Sequence, residues 1–561
     1  MRTPAVGRHS SILLFSVVLL GIPAAAASSC SAAGGASGDD DIGVGASTTT
    51  PTGTTGTGGD IGFDGGEGGQ GPTGDPKTCE EAAAYRSYIG CDFWPTVVAN
   101  EVWSIFDYAV VVANAGDNTV DATVTRGGNP VGSAQIPPNE LRTIYLPWVP
   151  ELKGPDFDQY TSVVPGSGSM SAAGGAYHLT TTYPVTVYQF SALEYAGQGG
   201  PPGKDWSSCP GNYSGTGCFS FSNDASLLLP STAFTSNYRV AGVQGWVESG
   251  YGDILGSYIA ITAPQASTTV TVHLSPTGQV LPGGMVPGGG PGGSISFSLN
   301  QGDVAELVGP PSGDLSGSWV EADKPVQVIA GIPCIYIPAG NSACDHVEES
   351  VFPAETLGQH YFVTRPAGPL GNAPGHVVKI YGNVDGTSLT YLPSAPPGAP
   401  ATIGAGQVVD LGVVSQDFEV TGDNAFSVAS FLLAASIVDP GEPDPTKQKG
   451  DPSLSQATAV EQYRKKYIFL APTDYDVNYL DIVYPDGVTM TIDGAGLQPG
   501  GTAISSGFNI ARIPLNAGQQ GAHVLESDQP VGIQVEGYGS YTSYYYPGGL
   551  DLKQIAPPPL R

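Results

Sequence analysis

The sequence predicts an all-β protein of about four tandem antiparallel modules, each like a β-sandwich, behind a disordered tether rich in glycine and threonine. Three observations support this prediction. Helical periodicity is nearly absent beyond residues 79–88, whereas runs of β-branched and aromatic residues are frequent, as at residues 108–113 and 185–190. The 80 glycines and 49 prolines suit short strands joined by tight turns. Finally, the strands recur in a fixed order along the chain.

Residues 1–29 have the pattern of an export signal peptide. Arg2 and Arg8 precede an apolar run at residues 11–22, which is shorter than the roughly 20 residues that a membrane-spanning helix needs. Small residues and then Cys30 follow, which is typical of a bacterial lipoprotein processing site, where the cysteine becomes the lipidated N-terminus. Ala27 stands where that motif usually has leucine, so ordinary cleavage that leaves Cys30 free or removes it is the alternative. We expect an outer-membrane lipoprotein of the cell envelope that faces outward, or a secreted protein.

Residues 30–78 are predicted to form the lipid-anchored, disordered tether. Residues 31–75 carry almost no large apolar side chains, so burial there cannot offset the entropy of ordering. The acidic, glycine-rich piece at residues 58–71 is only faintly similar to calcium-binding repeats, because it lacks a nonapeptide period.

Six cysteines follow Cys30, and they form three pairs that are close in sequence. In an exported chain such local pairs favour disulfides, although the spacing alone leaves free thiols and other connectivities open. A zinc site would need CxxC spacing or interleaved histidines, and the sequence has neither. The predicted disulfides are Cys79–Cys91, Cys209–Cys218 and Cys334–Cys344.

The recurring strand order defines the modules. Each module opens with a proline followed eight residues later by an aromatic residue, and the fourth keeps only the aromatic. A hairpin follows, and the last strand of the module is preceded by a turn. Proline at the first residue of a strand costs no ladder hydrogen bond. The opening pairs are Pro95 with Trp103, Pro230 with Tyr238, and Pro353 with Tyr361, and Tyr467 stands alone.

The predicted module boundaries follow from this recurrence. Residues 79–197 form module 1, and residues 198–332 form a disulfide-containing insertion and module 2. Residues 333–445 form module 3, and residues 446–561 form a linker and module 4. The strand pattern does not distinguish a sandwich from a jelly roll or from joined sheets.

Several segments between residue 94 and the C-terminus resemble the IgGFc-binding protein N-terminal domain family, which occurs widely in exported bacterial proteins. They are residues 183–190 (YPVTVYQF), 222–230 (SNDASLLLP), 345–349 (DHVEE) with 353–361, and 544–551 (YYYPGGLD). Tyr183 and Ala425 depart from the Asp and Pro that the repeat has elsewhere. The resemblance implies an extracellular binding or adhesive role. It supplies no catalytic residues and does not imply that this chain binds antibody.

Composition and motifs argue against several classes of function. The 51 acidic and 20 basic residues disfavour nucleic acid and anionic membrane surfaces as partners. The sequence contains no HExxH, no G-x-S-x-G, no Walker-type loop and no paired-histidine metal spacing. We therefore predict that the protein is not an enzyme and needs no cofactor.

Two groups of residues are candidates for a site. Asp345, His346, Glu348 and Glu349, with His360, have the side chains that bind divalent metals. A module junction with solvated charges explains them as well and is preferred, so no metal is predicted. The C-terminal tyrosines can stack on sugars or anchor a protein interface, although alternate ones on a strand are expected to be buried. They are Tyr538, Tyr541, Tyr544, Tyr545 and Tyr546.

The predicted function is a cell-surface binding or adhesion protein whose repeated modules provide many weak contacts. The expected partner is an unidentified extracellular protein or glycan, and the membrane is touched only through the N-terminal lipid. A structural component of the envelope or matrix is the first alternative. A metal-dependent hydrolase is the second, which a cleft of acids and histidines from distant modules would favour.

Overall fold

The computed structural model describes residues 75–157, 168–215, 217–248, 252–341, 344–444, 447–515 and 521–559. The predicted signal peptide, Cys30 and the predicted tether up to residue 74 lie outside the described residues. Antiparallel strands dominate the described part, which confirms the all-β prediction. No helix in these ranges is long and apolar enough to cross a membrane.

The strands follow the predicted repetition. Those of the first repeat are β1 (Gly90–Phe93), β2 (Tyr108–Asn114), β3 (Val120–Arg126), β4 (Asn129–Ile136), β5 (Glu140–Leu146), β6 (Met170–Ala172), β7 (Tyr177–Ser191) and β8 (Asp224–Leu228). Those of the second are β9 (Thr235–Arg239), β10 (Trp246–Glu248), β11 (Gly252–Leu255), β12 (Tyr258–Thr262), β13 (Thr268–His273), β14 (Ser294–Leu299), β15 (Val304–Val308), β16 (Trp319–Ile335) and β17 (Asp345–Ser350).

The third and fourth repeats continue the series. The third has β18 (His360–Val363), β19 (His376–Gly382), β20 (Thr387–Leu392), β21 (Thr402–Ile403), β22 (Val408–Val414), β23 (Phe418–Gly422), β24 (Phe426–Phe431) and β25 (Leu454–Gln456). The fourth has β26 (Arg464–Ala471), β27 (Val477–Pro485), β28 (Met490–Ile492), β29 (Ala495–Leu497), β30 (Thr502–Ala503), β31 (Phe508–Leu515), β32 (Gly521–Gly539) and β33 (Thr542–Pro547).

Helices within the described ranges are short. The α-helices are α1 (Cys79–Tyr85), α2 (Pro150–Lys153), α3 (Pro210–Ser214) and α4 (Ala435–Val438), and 3-10 turns form at Trp206–Ser208, Ser231–Ala233, Ala354–Thr356 and Val460–Gln462. Helix α1 confirms the single helical run in the sequence. Thr78 and Glu81 form a capping box at its start, which satisfies N–H groups that the first turn leaves free.

In three of the four repeats, one long strand belongs to both layers of a sandwich. The first part of β7 pairs with β1 and β3, and its second part pairs with β2 and β8. Strands β16 and β32 have the same double pairing. In the third repeat the strand is interrupted after Gly422, so β23 and β24 lie in two separate four-stranded sheets. A strand that changes layers builds a two-layered β-module, as predicted.

A buried tyrosine fastens the opening strand to the long strand in three repeats. The Tyr361 hydroxyl accepts the Gly358 N–H at 3.1 Å and donates to the Phe426 carbonyl at 2.6 Å. Tyr238 and Tyr467 make the same pair of hydrogen bonds, with Val326 and Val531 as the carbonyl partners. This role accounts for the aromatic residue that the sequence repeats.

The first repeat differs from the predicted pattern of Pro95 and Trp103. Phe93 stands opposite Leu179 on β7, at the register that Tyr238 holds opposite Val320 on β16. Trp103 lies between β1 and β2, away from the opening strand. The predicted opening of the first repeat was therefore wrong. Phe93 takes the place of the repeated tyrosine, and it has neither a hydroxyl nor a proline eight residues before it.

The last strands of the four repeats pack against one another. Strand β8 contacts β17 and β33, and β25 contacts the same two strands, so the four form a closed ring in chain order. We call β8, β17, β25 and β33 the central ring. The two ends of the described chain are bonded to each other, since Tyr88 N donates to Leu550 O at 3.2 Å and Leu552 N donates to Arg86 O at 2.9 Å.

Candidate functional site

The residues predicted to be solvated charges lie instead in the central ring. Asp345, His346, Glu348 and Glu349 belong to β17, and all four are 0% exposed. The expectation of solvation was wrong because β17 pairs with β16 and packs between β8 and β25. His360 lies on β18, where its Nε2 contacts Glu419 Oε1 at 2.8 Å.

Asp224, at the start of β8, joins three repeats through hydrogen bonds. Its Oδ1 accepts the Ser453 hydroxyl at 2.6 Å, and its Oδ2 accepts the Glu348 N–H at 3.0 Å and the Leu454 N–H at 3.2 Å. Burial raises the pKa of Asp224 well above its usual range, and these hydrogen bonds act in the opposite direction. The sequence offered no signal for this role, because the donors lie more than one hundred residues away.

Other carboxyl groups near the central ring are also fully buried. Glu348 Oε1 accepts hydrogen bonds from Gln189 Nε2 at 3.0 Å and from Ser226 Oγ at 3.2 Å. Burial raises the pKa of Glu349 well above its usual range and that of Glu306 to about 8. Desolvation disfavours the charged form of a carboxyl group, so Glu306 is largely protonated at neutral pH.

Four of the five C-terminal tyrosines are core residues. Tyr538, Tyr544, Tyr545 and Tyr546 are at most 1% exposed. The hydroxyls of three of them donate to buried acceptors at 2.6–2.7 Å, which are Ala367 O, Asn478 Oδ1 and Leu470 O. A ligand contact needs an accessible ring, and among these five only Tyr541 is partly exposed.

Tyr541 lies beside two partly exposed phenylalanines of the insertion, and we call Phe219, Phe221 and Tyr541 the aromatic patch. The ring centroids of Phe219 and Phe221 are 5.5 Å apart, and those of Phe221 and Tyr541 are 6.4 Å apart. Phe221 has φ 51° and Tyr541 has φ 49°, in the left-handed region that bulky residues rarely occupy. Strained backbone of this kind clusters at functional sites, so the patch is the best candidate for ligand contact.

The disulfide Cys209–Cys218 anchors the insertion that carries the two phenylalanines, and all three predicted disulfides form. Gly197 N donates to Cys218 O at 2.8 Å. A Cβ at Gly197 would lie 2.5 Å from Cys218 Sγ, so only glycine permits this approach. The cysteine spacing marked this loop in the sequence, whereas nothing marked Phe219 and Phe221 as partners of Tyr541.

Acidic groups surround the aromatic patch. The Tyr195 hydroxyl donates to Asp476 Oδ1 at 2.9 Å, and Lys449 Nζ lies 3.7 Å from Asp476 Oδ2. Burial raises the pKa of Tyr541, and the negative charges of Asp451 and Asp444 raise it further. Lys447 Nζ likewise lies 3.1 Å from Asp444 Oδ2, so the surroundings combine acids with two lysines, in a chain whose formal net charge is -31.

A serine, a histidine and a carboxylate also meet between the first two repeats, but not in the order that activates a nucleophile. His178 Nε2 lies 2.7 Å from Asp92 Oδ2, and the Ser231 hydroxyl donates to Asp92 Oδ1 at 2.6 Å. A catalytic serine would instead bond to the histidine, with the carboxylate behind the ring. These hydrogen bonds lower the pKa of Asp92 although burial opposes them, so the group is an ionised structural contact.

One set of three potential metal-ligating atoms comes together in the described part of the chain. It consists of Glu101, Cys334 and Cys344. The two cysteines are joined in a disulfide, so neither can supply the thiolate that a metal requires. Asp345, His346 and Glu349, the weak metal candidates of the sequence, do not form such a set.

The family model and the human relative point to the same family. The family model described as IgGFc binding protein matches residues 224–537. The IgGFc-binding protein of Homo sapiens is 30% identical over 192 residues, which cover 34% of this chain and 3% of the human protein's length. A GH78 family rhamnosidase of Bacillus sp. GL1 aligns over 82% of this chain and 55% of its own, with 10% identity and a TM-score of 0.10, too low to support any argument.

Proposed function

The chain belongs to the IgGFc binding protein family, and from this membership we propose that it is a non-catalytic adhesion protein of the cell surface. An extracellular setting is supported by the family and by the three disulfides, which persist in oxidising compartments. Beyond family and compartment, we propose that the chain is anchored through a lipid on Cys30 and that its binding attaches the cell to a partner. Both additions rest on the sequence.

The aromatic patch is the surface that we assign to the partner. Aromatic rings contribute large contact areas at protein interfaces with little loss of side-chain entropy. Phe219, Phe221 and Tyr541 are held by the disulfide loop and by the start of β33, so their positions are set before binding. The observation that carries the proposal is the left-handed backbone of both Phe221 and Tyr541, whose side chains are partly exposed beside the buried ring strands.

The acidic surroundings favour an extracellular protein with basic residues at its contact surface. Opposite charges steer association and raise its rate, and salt weakens this effect. Asp444 and Asp476 keep 40% and 41% of their side-chain surface exposed while they pair with Lys447 and Lys449, so their exposed surface can face such a partner. The name of the human relative makes the Fc part of IgG the first protein to test.

A binding assay with matched variants tests this proposal. Tyr541→Asn and Phe221→Asn remove a ring while asparagine still tolerates the left-handed backbone. Tyr183→Asn is the control, because Tyr183 is 37% exposed on β7 and does not belong to the patch. The full-length protein is passed over immobilised IgG Fc, over other extracellular proteins of basic and acidic pI, and over a glycan array.

We expect retention on basic proteins that falls with added salt and falls about tenfold or more in the two patch variants, since aromatic contacts at interface centres are often worth 2 kcal/mol or more. The control variant should bind like the unchanged protein. Equal binding by all variants would contradict the assignment of the patch. Retention on glycans alone would contradict a protein partner, and turnover of any bound ligand would contradict the non-catalytic role.

A further inference from the structure

Three repeats place an oxygen-bearing side chain at the same point of the central ring. The tyrosine-bonded carbonyls of Val326, Phe426 and Val531 fix a common register on the long strands. The residue three positions further along each long strand stands opposite a residue of a ring strand. The pairs are Ile329 with Ser350, Ala429 with Gln456, and Gln534 with Pro547. Five residues before these partners, the chain has Asp345, Asp451 and Thr542.

Hydrogen bonds bring these positions together at one end of the ring. Asn223 N donates to Asp345 Oδ1 at 2.6 Å, and the Thr542 hydroxyl donates to Asn223 Oδ1 at 3.2 Å. Asp451 N donates to Ser543 Oγ at 2.8 Å. Residues at the start of the ring strands or shortly before them therefore meet, and two of them, Asp345 and Asp451, contribute a carboxylate.

The two carboxylates are buried without enough partners. Asp345 and Asp451 are both 0% exposed. Neither side-chain oxygen of Asp451 and only one of Asp345 has a hydrogen-bond partner among the described residues. Buried carboxylates are normally paired or hydrogen-bonded, because unpaired ones lose their hydration without replacement. The Asp451 charge also raises the pKa of Asp345, which burial has already raised well above its usual range.

Nearby side chains do not supply the missing positive charge. No lysine or arginine forms an ion pair with Asp345 or Asp451 in the described ranges. Lys449, close in sequence to Asp451, lies 3.7 Å from Asp476 instead. The imidazole of His346 faces Glu348 Oε2 at 3.3 Å.

We propose that this end of the central ring binds a calcium-type divalent cation through Asp345 and Asp451. Hard divalent cations take carboxylate, amide, hydroxyl and water oxygens, and Asn223, Thr542 and Ser543 provide neutral oxygens beside the two carboxylates. Zinc and copper are disfavoured, because the carboxylates and their hydroxyl and amide neighbours are oxygen ligands, the nearby Cys334 and Cys344 form a disulfide, and His346 Nε2 faces Glu348. A cation held there ties the second repeat to the third.

Calcium titration of the full-length protein tests the proposal. The chelator-stripped protein is titrated with CaCl2, MgCl2 and ZnCl2 by calorimetry, and its melting temperature is followed in parallel. We expect one calcium ion per chain at this site and a melting temperature that rises with calcium, because a ligand that binds only the folded state stabilises it. Zinc should not reproduce this effect.

Two substitutions and one control locate the ion. Asp451→Asn and Asp345→Asn keep the shape and remove a charge, and each should weaken calcium binding at least about tenfold. Asp117→Asn, at an exposed acid of the β2–β3 turn, should leave binding unchanged. Without calcium, Asp451→Asn should melt no lower than the unchanged protein, because it removes an uncompensated buried charge.

Three results would overturn the proposal. The unchanged protein could show no calcium binding and no calcium-dependent melting, which would mean that protons neutralise the carboxyl groups. Calcium binding that persists in both variants would place the ion elsewhere, with the acidic stretch at residues 58–71 as the first site to examine. Equal stabilisation by zinc would contradict the assigned oxygen ligands.

Discussion

Replacing Tyr361 by phenylalanine tests the mechanism that holds the two layers of a repeat together. Tyr361 is 1% exposed, and its hydroxyl bridges Gly358 N and Phe426 O. The Tyr361→Phe variant keeps the ring and its packing but removes both hydrogen bonds. Phe93 occupies the same register in the first repeat, so a ring without the hydroxyl fits this position.

The expected loss follows from the two groups that the substitution leaves buried. An unsatisfied buried donor or acceptor costs about 1–3 kcal/mol, so leaving both groups unsatisfied should lower the free energy of unfolding by about 2–6 kcal/mol. Urea denaturation at constant pH, followed by intrinsic fluorescence, measures this difference as a shift of the midpoint with the slope unchanged.

Tyr391→Phe is the matched control. The Tyr391 hydroxyl donates to Pro400 O at 2.8 Å, but the residue is only partly buried, so water can replace the lost bond. Its loss should stay below about 1 kcal/mol. If Tyr361→Phe cost no more than the control, the repeated tyrosine would not be the fastening that we describe.

Three further predictions concern the ends of the described chain, the pH dependence of the free energy of unfolding, and the lipid anchor. Arg464 contacts Asp75 at 2.6 Å and also pairs with Asp551, so it ties the two ends of the described chain to β26. Arg464→Met should lower the free energy of unfolding by about 3–5 kcal/mol in urea denaturation, and a loss below about 1 kcal/mol would contradict this role. Burial raises the pKa of Glu306 from 4.5 to about 8. The contribution of this group to the free energy of unfolding is therefore complete below pH 4.5 and is lost as the pH rises to 8. Glu306→Gln should therefore flatten the decline over that window, and an unchanged pH profile would contradict the assignment. Cys30→Ala should move the protein from the detergent phase to the soluble fraction on phase partitioning, whereas unchanged membrane retention would contradict lipidation.

The repeated strands could be predicted because their signals are local. Turn residues and β-branched runs mark each strand wherever it lies, and short cysteine spacings mark the disulfides Cys79–Cys91, Cys209–Cys218 and Cys334–Cys344. The spacing of proline and aromatic residue also identified the fastening tyrosines of the second and third repeats. It failed in the first repeat because only the tertiary register equates Phe93 with Tyr238.

The central ring could not be predicted, because the polar composition of a strand such as β17 indicates solvent exposure whereas the strand is buried. The segment DHVEES has the composition of a solvated turn, yet every residue of β17 is buried. Period-two patterns identify one buried face and one exposed face, whereas a ring strand is covered on both. Partners such as Ser453 for Asp224 come from other repeats, and no local pattern encodes contacts at that separation.

The central ring also changes how repeated modules can act in binding. Independent modules on flexible linkers would each bind the partner separately, and the avidity would depend on the length of the linkers. Here Asp224 bonds to Ser453 and Gln189 bonds to Glu348, so neighbouring repeats share one buried polar network. A repeat removed from the chain would expose these carboxyl groups and lose the strand that completes its neighbour's packing. The repeats therefore present their surfaces at fixed separations, and a partner gains avidity only where its own sites match that spacing.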